Sequence, residues 1–285
     1  MNSREKIAHA LRNVRNLPTL PDVAVRLLEM GESPTASMRD LARWIEKDTA
    51  LAARVLKLVN SSFFGVPREV TSIRHALMIL GMAHLRNLVL SSAVSNLFDH
   101  EGSVGGFSRR EFWKHCVAVA GAARTIAAVR GVLDPETAFT AGLIHDIGKL
   151  VMDRYLHEDF VKVVARLEDS SLTMTAAEIE VLGVHHAEIG HHLVAHWNLP
   201  EILRMAVGFH HEPQTAPQHS AVAALVGVAD AMVRQLRIGS GGGADHPLSE
   251  PALALCGLSS AQFEEIQRDL EGELEEQVAV LTECE

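Results

Sequence analysis

Tyrosine occurs once in 285 residues, cysteine three times, and aromatic residues make up only 5% of the chain. Cys116, Cys256 and Cys284 are too few and too scattered for a disulfide framework or a thiolate zinc site. No β-branched alternating run of convincing length occurs, which argues against a sandwich or barrel. No window offers the roughly 18 consecutive apolar residues that a membrane span needs. The nearest, CVAVAGAARTIAAV, is short and interrupted by Arg124. The start, MNSREKIAHALRNV, is polar and amphipathic with no secretory apolar region, so a reducing cytoplasm is the expected setting. There is also no basic stripe and no aromatic stacking platform, so a nucleic-acid partner is not expected.

What is present is apolar helix-forming sequence. Hydrophobic residues reach 47% and the mean hydropathy is +0.10, the composition of a globular chain with a sizeable core. The formal net charge of −10 is not spread evenly. Residues 245–285 carry eleven acidic residues against one arginine, while the rest of the chain balances. Sixteen histidines stand out, eight of them between His185 and His219. Histidine is both a metal ligand and an acid–base group near neutral pH.

The pattern predicts an all-α protein of two packed helical bundles. Residues 1–98 read as the first, through LPTLPDVAVRLLEM, TALAARVLKLVNSSFF and IRHALMILG, among others. DHEGSVGGFSRR is a glycine- and serine-bearing break. Residues 111–236 read as the second bundle, running through GLIHDIGKL, read as one helix. RIGSGGGADHPLSEP reads as a flexible linker over 237–250. An acidic C-terminal helix is expected over 251–285, with Ser259 or Ser260 as its N-cap.

The chemistry lies in the second bundle. Leu143, Ile144, Ile147, Leu150 and Val151 share the spacing of one apolar helix face, yet His145, Asp146 and Lys149 fall within the same turn and a half. Charged groups withdrawn from water must be paired or bind a metal. Glu111 and His115 stand at i, i+4, so both can reach one point. His186 precedes Gly190 by one turn, where a missing side chain lets another helix approach. His210 and His211 lie just before Pro213, and Asp230 interrupts the apolar run AVAALVGVADAMV and needs a partner such as a metal or a lysine. Bundle cores assemble carboxylate–histidine metal sites from facing helices. A nitrogen and oxygen set without thiolate suits iron, manganese or zinc, as one or two divalent ions.

The order H…HD…H…HH…D resembles the HD phosphohydrolase superfamily. Leu17-Pro-Thr-Leu-Pro21, Asp48, Asn60-Ser-Ser62, Gly65, Leu80-Gly81, His186-x-x-x-Gly190, Trp197-x-Leu-Pro200 and His210-His211-Glu212 resemble the HDOD (HD-related output domain) family over residues 10–235. The resemblance implies that His115, His145, Asp146 and Asp230 are the basic metal ligands. It implies that His186, His210 and His211 are further ligands, as in HD-GYP relatives holding more than one metal, and that Glu111 is an extra carboxylate. Lys149 matches a phosphate-contacting lysine. HD-GYP enzymes follow their HHE with a loop ending in Gly-Tyr-Pro, whereas PQTAPQHSA follows here, so cyclic di-GMP hydrolysis of that kind is not expected.

Two functions compete on these grounds. One is a regulatory module with a retained metal site, acting on a signalling protein partner and needing neither nucleic acid nor membrane. The other is a metal-dependent phosphohydrolase acting on a nucleotide or other phosphoester. In that case Asp146 would bridge the ions, Lys149 would hold the phosphate, and His210 or His211 would donate a proton.

Overall fold

The computed structural model describes residues 42, 45–47, 49–60, 66, 69–95, 103–168, 172–243 and 248–282. The expected helix over LPTLPDVAVRLLEM lies outside these residues, as do Leu17-Pro-Thr-Leu-Pro21, Asp48, Ser61, Ser62 and Gly65 of the family pattern. The regular elements among the described residues are helical apart from one small hairpin, in keeping with the all-α expectation, and none of the helices is long and apolar enough to cross a membrane.

Of the described residues, 42–95 and 276–282 belong to one compact unit and 103–275 to the other. In the first, α1 (Thr49–Val59) buries Leu51, Val55 and Val59 along one face. Asn60 follows α1 and pairs with both backbone groups of Val70, donating at 2.9 Å and accepting at 2.7 Å. Helix α2 (Ile73–Ser95) is broken at Gly81, whose φ of 71° lies in the left-handed region that glycine enters without steric cost.

The second unit opens with an antiparallel hairpin, β1 (Ser103–Val104) and β2 (Phe107–Ser108), within the segment expected to be a plain break. Ser108 then caps α3 (Arg109–Arg130) by accepting from Glu111 N. Asp134 caps α4 (Pro135–Ile144) in the same way, with proline at the first helical position where its missing N–H costs nothing. Next come α5 (Ile147–Tyr155), α6 (His157–Glu168), α7 (Met174–Leu182), α8 (His186–His196), α9 (Glu201–Phe209) and α10 (Ser220–Leu236). Helix α3 packs along α4 and α10, while α8 packs against α5 and α9. Arg109 grips the buried Asp153 with two hydrogen bonds of 2.6 and 3.1 Å, tying the start of α3 to α5.

GLIHDIGKL is not one helix. Helix α4 ends at Ile144 and α5 begins at Ile147, leaving His145 and Asp146 at the junction. The break explains how the stretch can bury both its apolar and its charged residues: Leu143 through Asp153 are all buried. Asp146 occupies the N-cap position of α5 but makes no capping hydrogen bond, so its carboxylate is left for other partners.

The crossing of α5 and α8 is closer than side chains would allow. A Cβ on Gly148 would overlap the His186 carbonyl oxygen and stand 2.9 Å from Gly190 N. One on Gly190 would stand 2.7 Å from Val207 Cγ1 on α9. The glycine in HDIGK is therefore what brings His186 within reach of Asp146.

The expected linker over 237–250 is packed where it is described. Gly241 is buried and its carbonyl accepts from Lys149 Nζ at 2.9 Å, while Ser240 N donates to Glu111 O at 3.0 Å. A Cβ on Gly239 would overlap the backbone of Glu111 and His115, and one on Gly241 would meet the Arg234 guanidinium. The glycines serve close approach here, not flexibility. The acidic C-terminal region is also two helices, α11 (Glu250–Leu255) and α12 (Ser260–Thr282), separated by a turn at Gly257 with φ 66°. Ser259 caps α12, accepting from Gln262 N at 3.3 Å. Phe263, Ile266, Leu270, Leu274 and Val278 form its buried face.

Candidate metal centre

Asp146 is the hub. His186 Nε2 lies 2.9 Å and His210 Nε2 3.7 Å from its Oδ1, and His145 Nε2 lies 3.3 Å from its Oδ2. His211 Nε2 stands 2.8 Å from His186 Nε2. Two groups of donor atoms result, Asp146 with His186, His210 and His211, and Asp146 with His115 and His145. Within each group the donors lie within 4.8 Å of one another, and Asp146 belongs to both. Asp230 borders the second group, its Oδ1 being 2.9 Å from His115 Nε2 and 3.9 Å from His145 Nε2.

The rings are aimed by their far nitrogens. His145 Nδ1 lies 2.7 Å from Gly142 O and His210 Nδ1 lies 2.9 Å from Val207 O. A carbonyl only accepts, so each Nδ1 carries the proton and each Nε2 presents a lone pair to the cluster. His115 Nε2, His145 Nε2, Asp146 Oδ1 and His210 Nε2 are buried and make no well-aligned hydrogen bond. Buried polar atoms left in that condition are costly, and cations held in the two donor groups would between them satisfy all four. The donor set therefore fits a metal ion. Burial pushes the Cys116 thiol well above its ordinary range, so it offers no thiolate.

Two side chains fall elsewhere than the sequence suggests, and a third, Asp230, lies at the cluster but has an unexpected partner. Glu111 turns away from the cluster and pairs with Lys114 at 2.7 Å, on a partly exposed face. Lys149 is fully buried, its ammonium bonded to Asp146 and to the Gly241 carbonyl and stacked 5.6 Å above the Phe112 ring. Asp230 has its partner in Arg234 one turn on, whose Nε donates to both carboxylate oxygens at 2.9 and 3.1 Å. Arg234 sits at i, i+4 from Asp230, a signal legible in the sequence that the expectation of a metal or lysine partner overlooked. Glu178 was not anticipated at all. It is completely buried and accepts from both the ring and the backbone N–H of His186, and nothing in MTAAEIEVL sets it apart from Glu180.

The electrostatics favour neutral imidazoles at His115 and His210 and ionised carboxylates at Asp146 and Asp230. Burial lowers His115 and His210 to about 4, outweighing the carboxylates of Asp230 and Asp146 beside them. Burial opposes ionisation of Asp146, but His145, Lys149 and His186 together hold it well below the usual carboxylate range. His186 moves the other way: burial works against its charge, yet Glu178 and Asp146 raise it. In chelator-stripped protein, His115 and His210 should therefore cost stability in acid. Their unfolded forms take up protons near pH 6.5, whereas the folded forms resist until about pH 4. Each should withdraw on the order of 3 kcal/mol as pH falls through that window. His186 gives a partial offset, since a raised group stabilises at low pH. Urea melts of stripped protein between pH 7 and 4.5 measure the fall, and a flat profile would contradict it.

A cleft of about 610 Å³ opens beside the cluster, lined by Thr173, His185, Glu188, His191, Phe209 and His211, among others. His211, only partly buried, is the member of the two donor groups that reaches it.

The HDOD domain family matches residues 17–213. The chain belongs to the HDOD family. An HDOD domain protein of unknown function from Geobacter sulfurreducens shares 28% identity and a TM-score of 0.86, over 99% of this chain and 97% of that one. A candidate phosphohydrolase from Shewanella amazonensis SB2B shares 28% identity and a TM-score of 0.75, over 96% and 98%. An uncharacterised protein of Treponema pallidum (strain Nichols) is 26% identical over 209 residues. That match takes in 72% of this HDOD chain but spans only 39% of the Treponema protein.

Proposed function

We propose that this HDOD protein is a cytoplasmic signal-transduction module that acts mainly through contact with a signalling protein partner, its metal centre serving to fix the second helical unit. The observation that carries this reading is the burial of Lys149. On the phosphohydrolase reading Lys149 would hold the substrate's phosphate, while a metal would keep an open position for activated water. Here the ammonium of HDIGK is spent on Asp146 and the Gly241 carbonyl, beneath a glycine loop that leaves no room for a side chain. Asp146, His186, His210 and His211 would hold one divalent iron, manganese or zinc ion, and Asp146, His115 and His145 would offer a second position, with Asp230 alongside. Such an ion, when bound, supplies Lewis acidity and binding energy that only the folded chain can use. The acidic balance of the chain supports a protein partner over nucleic acid or an anionic membrane.

A second reading, a metal-dependent phosphohydrolase, has one observation in its favour. The cleft at His211 gives a small phosphorylated molecule a route to the donor atoms. Manganese- or ferrous-loaded protein incubated with p-nitrophenyl phosphate, its bis ester, nucleoside monophosphates and cyclic di-GMP separates the two. The expected result is no turnover above the metal alone. Steady hydrolysis that disappears in Asp146→Ala would establish the enzyme instead.

A further inference from the structure

We infer that Glu178 is a positioning residue for the metal centre, fixing the ring of His186 in one tautomer and one orientation. The inference rests on the reading of the His/Asp cluster as a metal site and extends it to a helix that contributes no ligand. Glu178 projects from α7, and its Oε2 accepts from His186 N at 2.8 Å and lies 2.7 Å from His186 Nδ1, with Oε1 at 3.0 Å from the same nitrogen. Both residues are completely buried. The other aimed histidines lean on backbone carbonyls, Gly142 O and Val207 O, which the helices supply without any choice of residue. His186 opens α8, and its ring is held instead by a carboxylate eight residues earlier.

The consequence is chemical as well as geometric. A carboxylate only accepts, so Nδ1 must donate, and Nε2 is the nitrogen that faces Asp146 Oδ1 at 2.9 Å and His211 Nε2 at 2.8 Å. A full negative charge on the far side of an imidazole makes its lone pair a stronger donor than a carbonyl would, the arrangement of a carboxylate–histidine–metal relay. The same oxygen also accepts the first backbone N–H of α8, so ring and helix start are fixed by one group. A residue with only a packing role would need neither the charge nor this double acceptance.

The test is zinc affinity of the full-length protein, measured by competition with a chromophoric chelator for wild type, Glu178→Gln and Glu178→Ala. Glutamine keeps the volume and one acceptor oxygen but removes the charge; alanine removes both. Affinity should fall about tenfold for Gln and up to about a hundredfold for Ala, and the visible spectrum of the cobalt-substituted protein should change in both. The melting temperature of chelator-stripped Glu178→Gln should stay near wild type, which separates positioning from packing. If Glu178→Ala fails to fold, Glu178→Gln alone decides. Wild-type affinity and an unchanged cobalt spectrum in Glu178→Gln would overturn the inference while leaving the metal site standing. A lowered melting temperature with wild-type affinity would overturn it too, in favour of packing. Wild-type protein that takes up no zinc would overturn the metal reading and this inference together.

Discussion

Asp146→Ala protein, purified without chelator, should carry no stoichiometric transition metal, whereas Glu111→Ala should carry as much as wild type. Asp146 is the one residue common to both donor groups, so its removal dismantles each of them at once. Its loss also strands Lys149, whose fully buried ammonium would keep only the Gly241 carbonyl among its charged and polar contacts described above. Breaking a buried ion pair by deleting one partner typically costs about 3–5 kcal/mol, and that penalty should add to the loss of metal. Glu111 is the contrasting case because its carboxylate faces Lys114 at a partly exposed surface. Elemental analysis with thermal melts of the three proteins gives both readouts. Retention of metal by Asp146→Ala, or its loss from Glu111→Ala, would contradict this arrangement of ligands.

Gly148→Ala, one methyl group, should do comparable damage. The new Cβ would overlap the His186 carbonyl oxygen and stand 2.9 Å from Gly190 N, and both obstacles are backbone that cannot rotate aside. Overpacking a tight contact costs about 1–3 kcal/mol and more where backbone must move, so about 3 kcal/mol is expected. The only relief is to separate α5 from α8, which draws His186 away from Asp146, so metal should be lost as well. Gly272→Ala is the control. That glycine lies within α12 with nothing near its missing Cβ, and alanine there should stabilise the helix by up to about 1 kcal/mol. A Gly148→Ala protein that melts like wild type and keeps its metal would show that the crossing tolerates a wider spacing.

The helical character of the chain and the residue types at its centre were readable because metal-ligating side chains are conspicuous inside apolar helices. His115, His145, Asp146, His186, His210 and His211 could each be named from that contrast, and the structure brings their donor atoms together. What escaped has identifiable physical causes. The two-residue break at His145–Asp146 contains no glycine or proline, so periodicity runs through it unmarked. Glycines at 239 and 241 look the same in composition whether they loosen a chain or let it lie against Glu111 and His115. Spacing placed Glu111 within reach of His115's partner atoms, but the side chain had a nearer lysine. Glu178 depends on a turn between two helices, and no local pattern records which face of α7 meets the start of α8.

The hydrogen bond from Lys149 to the Gly241 carbonyl joins residues 92 positions apart. On a ribosome adding roughly 5–20 residues per second, the stretch carrying His145, Asp146 and Lys149 is made roughly 5–20 s before the glycine loop that seals it. Throughout that interval the nascent chain holds an acid, a base and an imidazole that have no finished interior to enter. Closing so long a loop also carries an entropic penalty before any contact repays it. The centre is thus among the last parts of the molecule to be completed during its own synthesis, and early release of the chain before residue 241 would yield helices without a sealed core.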